Sequence, residues 1–278
     1  MIEGSTKTVD IVVSDIDSSN LSVWAQSDNT ALIPNENLIV SGVGNNRTLQ
    51  ISATDNMIGR ANITVFVSDG DSQSTTTFAV NVIAPDLSVS IDDGGVSVRP
   101  GQTVAYAIEY ANSPVVHTSD AAGVYIAVSV PTHSQFNPSA SSSDWNCANN
   151  GAAGDICRLD IGQLNRGATG ATTFAVAVDL TVPTEVAALS VEVEIGDNGQ
   201  NGNDIDPSNN RNGDTTPIDR TVLLLATKRD LLDVSGGNDG IAGPGDRIDY
   251  TIILRNDRVT AASGSVFDDA PDSNTTLA

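Results

Sequence analysis

Two cysteines, two histidines and 29 aspartates are the residues of this 278-residue chain best equipped for chemistry. Cys147 and Cys157 enclose the Gly- and Asn-rich turn ANNGAAGDI between two short strands. A cross-strand disulfide fits such a hairpin and would contribute about 2–3 kcal/mol by closing so short a loop. In a reducing compartment the same pair would remain two buried thiols. The spacing is not that of a CxxC redox pair, and two Cys with two His cannot supply a four-ligand zinc centre.

The carboxylates fall into groups. Asp15 and Asp17 sit at a strand end and are placed to meet Asp69 and Asp71 at a neighbouring turn. Asp92 and Asp93 begin one loop, while Asp197, Asp204, Asp206 and Asp214 crowd another. Asp230, Asp233, Asn238, Asp239 and Asp246 bracket a Gly-rich loop. Short oxygen-bearing side chains beside glycines suit calcium, which also reverses the repulsion between like charges. Asp15, Asp17, Asp69, Asp71, Asp204, Asp206, Asp233, Asp239 and Asp246 are therefore the candidate calcium ligands, although none follows the EF-hand spacing. The competing reading is that Asp and Asn make turns and keep the surface solvated.

His117 and His133 lie in polar loops. Around them there is no G-x-S-x-G, H-E-x-x-H or phosphate-binding glycine motif. The chain is not predicted to be an enzyme.

The elements that position these residues follow from composition and period. Asp, Asn, Ser, Thr and Gly favour turns over helix interiors. Acids outnumber bases 35 to 13, for a net charge of −22. A phosphate-binding face needs clustered Lys and Arg, so nucleic acid is not an expected partner. No stretch approaches 18 consecutive apolar residues, so no membrane span is expected, and MIEGSTKTVDIVV is not a signal peptide.

Period-2 alternation dominates. In residues 1–84 it predicts strands around Val9–Val13, Leu21–Ala25, Leu49–Ala53, Ile63–Val67 and Phe78–Val82. Ile83–Asp86 reads as a short linker. Residues 87–195 add six longer strands, and residues 196–217 read as a loop or linker. PGQTVAYAIEYAN (100–112) then matches PGDRIDYTIILRN (244–256) at a constant offset of 144. The three segments 1–84, 85–217 and 218–278 carry net charges of −6, −12 and −4. The repeat and the spacing predict tandem antiparallel β-sandwiches of Ig-like or cadherin-like type, an all-β array.

The middle segment resembles the bacterial surface-protein repeat called domain of unknown function 11. The resemblance is carried by DLSVS (86–90), RPGQTVAYAIEYAN (99–112), Trp145-Asn146-Cys147, Cys157 and DIDPSNN (204–210). ATKRD (226–230), GPGDRIDYTI (243–252) and DDAPDSNTTL (268–277) resemble the first half of a second copy. SDIDSSNLSV (14–23), SDNTALIPNENLIV (27–40), NNRTLQISA (45–53) and ANITVFVSDG (61–70) are similar to cadherin-like and bacterial Ig-like repeats of large adhesins. These resemblances imply a secreted, multidomain cell-surface protein without catalytic residues, and an extracellular location selects the disulfide for Cys147 and Cys157. Against the repeats both ends look cut: an opening strand is missing before Glu3, and the third segment stops before its later strands. Either a longer polypeptide or a strand from another copy would complete them.

Lys228 stands where some surface-protein sandwiches form Lys–Asn isopeptide bonds. With Ser90 at the comparable place in the second segment, it reads as an exposed edge-strand lysine. The expected function is a spacer in an adhesin stalk or filament, stiffened by calcium. Its expected partners are neighbouring domains, other copies in a filament, or a host or cell-surface ligand. The rival reading is a carbohydrate- or protein-binding module, or an accessory region of a secreted hydrolase. Trp24 and Trp145 are the tryptophans available for sugar stacking, with Trp145 expected on the disulfide.

Overall fold

The computed structural model describes residues 1–233, 241–257, 261–271 and 273–276. Strands dominate the described residues, and their three helical turns are 3-10 turns of three residues each. No helix among them is long and apolar enough to cross a membrane.

The first 82 residues form six strands: β1 (Thr6–Val12), β2 (Ser22–Ser27), β3 (Leu38–Val43), β4 (Asn46–Ser52), β5 (Gly59–Ser68) and β6 (Gln73–Val82). They pair antiparallel into two sheets, ordered β1-β4-β3 and β2-β5-β6. Alternation turns Leu49 and Ile51 of one sheet, and Ile63 and Val65 of the other, into a shared core. Leu32 and Ile33 from the β2–β3 connection fill its end. Burying such side chains contributes about 1.5–3 kcal/mol each. Strand β3 was absent from the sequence expectation. Its apolar residues Leu38, Ile39 and Val40 run consecutively instead of alternating.

Nine strands follow: β7 (Leu87–Asp92), β8 (Thr103–Asn112), β9 (Ala121–Ser129), β10 (Ser134–Phe136), β11 (Asn146–Cys147), β12 (Ile156–Leu164), β13 (Thr169–Val178), β14 (Ala188–Gly196) and β15 (Arg211–Pro217). They build a four-stranded sheet, β10-β13-β8-β7, and a five-stranded sheet, β11-β12-β9-β14-β15. Between them lies a second core that includes Tyr106, Ile108, Ile126, Phe174 and Leu189, each fully buried.

The expected loop over 196–217 needs correcting at its end, where β15 pairs with β14 from Ala188↔Pro217 to Glu194↔Arg211. It escaped the hydrophobic pattern because it is an edge strand whose inward residue is Thr216, a hydroxyl rather than an apolar side chain.

Finally, β16 (Leu224–Asp233) and β17 (Arg247–Asn256) form an antiparallel pair. Its ladder repeats that of β7 and β8. Leu224↔Asn256 and Lys228↔Ile252 stand where Leu87↔Asn112 and Ile91↔Ile108 stand in the second segment. The comparable residue to Lys228 is therefore Ile91, not Ser90. One residue of register moves a side chain to the opposite face of a sheet.

Candidate functional site

To the candidates read from the sequence the structure adds one at the joint between the two cores. Ile2 and Ile83 form a parallel bridge, with Glu3 N–H donating to Ile83 O at 2.9 Å and Ile83 N–H to Met1 O at 3.0 Å. Ala84, fully buried, bridges to Thr118 and accepts from Ser119 N–H at 2.8 Å. Pro85 O accepts from Ile205 N–H at 3.1 Å. Residues 83–85 are thus built into both halves.

Glu3 pins this joint. Its side chain is 3% exposed. Oε1 accepts from Asn56 N–H at 2.6 Å and Oε2 from Asn203 N–H at 3.0 Å, so one carboxylate holds a loop of each half. Gly202, with a positive φ of 95°, lies against Glu3, Ile2 and Ala84; a Cβ there would meet each at 3.3 Å. Sequence reasoning missed Glu3 because its partners are 53 and 200 residues away, beyond any local pattern.

The acidic groups assemble in part. Asp15, Asp17 and Asp69 each offer an oxygen within 4.8 Å of the others, as do Asp92, Asp93 and Asp214. Asp15 Oδ1 accepts the backbone N–H of Asp17 and of Ser18, both at 3.0 Å. The hydrogen bond between the two side chains holds the Asp15 carboxyl below its usual range and pushes Asp17 up. Asp69 is held low by N–H donors from Ser72 and Asp71. Asp71 therefore contributes its backbone to the Asp69 turn and does not join the carboxylate group.

Asp204 and Asp206 join neither group. Asp204 Oδ2 accepts Leu87 N–H at 2.7 Å and Oδ1 accepts Asp206 N–H at 2.9 Å, bracing the 204–210 loop against β7. Asp206 caps the 3-10 turn Pro207–Asn209 through Ser208 N–H. Asp246 Oδ2 accepts Gly243 N–H at 2.8 Å and closes the turn before β17. The backbone of Asp233 ends β16, and Asp239 lies outside the described residues. Short acidic side chains bond first to nearby backbone N–H groups, which spacing alone does not distinguish from ligand positions.

Cys147 and Cys157 are opposite one another on β11 and β12 and form a disulfide, with Cys157 fully buried. Trp145 packs edge-on to Phe174, ring centroids 5.0 Å apart, and donates Nε1–H to Thr173 O at 3.0 Å. His117 and His133 adopt positive φ values of 73° and 61°, which marks both as turn residues. Lys228 Nζ pairs with Asp269 at 2.8 Å and lies 4.2 Å from the Tyr250 ring centroid. Asp269 raises its pKa.

No protein-family model matches the chain, and no curated protein matches it. Among solved structures it is similar to the C-terminal domain of the Streptococcus agalactiae AgI/II polypeptide BspA, at 11% identity and a TM-score of 0.46, over 78% of this chain and 94% of that one. It is also similar to the T6 backbone pilin of serotype M6 Streptococcus pyogenes, at 9% identity and a TM-score of 0.30, over 67% and 50%. A third likeness is to the Escherichia coli adhesin FdeC, at 15% identity and a TM-score of 0.30, over 83% and 68%.

Proposed function

We propose that this chain is a stiff spacer in an extracellular bacterial surface protein, an adhesin stalk or a filament. The Glu3 joint carries the reading. A flexible linker exposes its backbone and leaves domains free to reorient. Here residues 82 and 84 are fully buried, residues 83–85 bond to both halves, and one buried carboxylate ties the two loops together. Charge-assisted bonds of this kind are among the stronger hydrogen bonds in proteins. The disulfide supports an oxidising compartment. Net charge in every segment supports a soluble, self-repelling array.

Calcium belongs to the same reading. The groups Asp15/Asp17/Asp69 and Asp92/Asp93/Asp214 are where it would act, by neutralising carboxylates that repel one another.

Small-angle scattering on the chain and on Glu3→Ala tests the spacer. The wild type is expected to scatter as one elongated body, and Glu3→Ala to broaden the distribution of interdomain distances. A wild-type profile that needs an ensemble of interdomain orientations would overturn the reading.

A further inference from the structure

We propose that the outward face of the β2-β5-β6 sheet binds a neutral saccharide, with Trp24 as the stacking surface, an activity that goes beyond the spacer role. In β2 and β5, Trp24 is the direct cross-strand partner of Phe66. The two rings are parallel within 4°, with centroids 5.2 Å apart. Phe66 covers one face of the indole. Because β2 is an edge strand, no strand of its sheet lies beyond Trp24 on the other side, and the residue is 36% exposed.

What surrounds the ring decides the ligand. Gln26 follows Trp24 on the same face of β2, and Thr75 stands across from Phe66 on β6. Thr64 and Thr77 stand opposite each other, their hydroxyls 3.0 Å apart. In that pair one hydroxyl donates to the other, and the acceptor keeps its own proton for an outside partner. An apolar aromatic surface with convergent amides and hydroxyls is the chemistry that receives a pyranose ring, which offers C–H groups on one side and hydroxyls at its rim.

None of these six side chains is charged, in a chain of net charge −22. An anionic glycan would be repelled by the molecule as a whole. A basic peptide would be drawn instead to the carboxylates at Asp15, Asp17 and Asp69. A neutral sugar is the ligand class that the face fits. An aromatic pair that serves only the sheet would contribute to stability and bind nothing.

The test uses the full chain. Affinity electrophoresis in gels of hydroxyethylcellulose, mannan and xylan, with heparin as the anionic control, is paired with fluorescence titration of Trp145→Phe by cellohexaose, mannohexaose and xylohexaose. In that variant Trp24 is the sole indole. Saturable quenching and retarded migration with at least one neutral glycan are expected. Trp24→Ala should weaken binding by about tenfold or more, and Trp24→Phe, which keeps an aromatic ring in the sheet, should weaken it by a smaller factor. The paired change Thr64→Val with Thr77→Val should also weaken it while leaving the Trp24–Phe66 stack in place. Three results would overturn the proposal: no saturable binding to any neutral glycan, unchanged affinity in Trp24→Ala, or tighter binding to heparin than to every neutral glycan.

Discussion

Tyr106 and Thr216 lie 110 residues apart in sequence, yet their hydroxyl oxygens meet at 2.9 Å in the fully buried interface between the two sheets of the second core. Thr216 Oγ1 donates onward to Asp93 Oδ2 at 2.6 Å, so Tyr106 donates to Thr216. This relay ties β8, β15 and the loop after β7. Burial pushes the Tyr106 hydroxyl pKa up, which keeps it protonated as the donor.

Thr216→Val, nearly isosteric, removes the acceptor of the Tyr106 hydroxyl and the donor to Asp93 Oδ2, while Asp93 Oδ1 keeps the N–H groups of Gly95 and Val96. It should cost about 1–3 kcal/mol. Tyr106→Phe removes only the outer donor and should cost about 1 kcal/mol. The double variant should cost less than the sum, as expected of residues in one network. Urea denaturation at constant slope measures all three.

Removing the crosslink should destabilise the second module selectively. Replacing Cys147 and Cys157 together with serine should cost about 2–3 kcal/mol from loop entropy, with a further loss for the buried Cys157 site. Intact mass should differ by two hydrogens before and after reduction. Free thiols in protein from an oxidising compartment would contradict the disulfide.

At the joint, Gly202→Ala combines a strained positive φ with a Cβ pressed against Ile2, Glu3 and Ala84. It should lower the melting temperature and raise hydrogen exchange at the hydrogen-bonded amides of Glu3 and Ile83, while leaving the core strand β8 protected. Exchange spread evenly over the second core would mean that the joint is not a separable unit.

Acid should act in two opposite directions. Asp28 accepts the N–H and side-chain amide of Asn62, and the backbone bond above all holds its pKa below the ordinary 3.8. That stabilisation is present above pH 3.8 and is lost as the pH falls through the lower folded value. Burial pushes the Asp197 carboxyl upward instead, and its Oδ2 is buried without a partner. There the folded state binds the proton more tightly, so stability falls as pH rises through the window above 3.8. Asp197→Asn should flatten that decline, and Asp28→Asn should flatten the loss at lower pH. Thermal melts from pH 3 to pH 6 separate the two.

If an acidic group binds calcium, stability should rise with the logarithm of calcium concentration above Kd, by about 2.7 kcal/mol at a hundredfold excess, and the melting temperature with it. Asp69→Asn and Asp214→Asn would each remove part of the gain if both groups bind. Identical melts in calcium and in chelator would leave both groups as solvated turns.

The sheets were legible where apolar residues alternate, as in β5, β8, β9 and β14. They were not legible where an edge strand turns a hydroxyl inward, as Thr216 does in β15, or where a strand is too short to show a period, as in β10. Among the candidate ligands, the strand-end and turn reading placed Asp15 and Asp17 beside Asp69, and the structure brings these three carboxylates together. It does not bring Asp204 and Asp206 into either three-carboxylate group; their oxygens accept N–H groups of their own loop and of β7. Glu3 left no trace, because a lone acid before a glycine gains meaning only from backbone donors brought by distant loops.

The parallel bridge between Ile2 and Ile83 determines how the first module would bear a pull. The two segments run in the same direction, and their hydrogen bonds lie across the path between the amino end and everything beyond residue 84. Tension applied between those points slides one segment along the other. Both bonds are then strained together rather than peeled apart one at a time, and the buried Glu3 contacts are strained with them. Such a clasp loads in shear, the geometry in which a short stretch of paired backbone resists the greatest force.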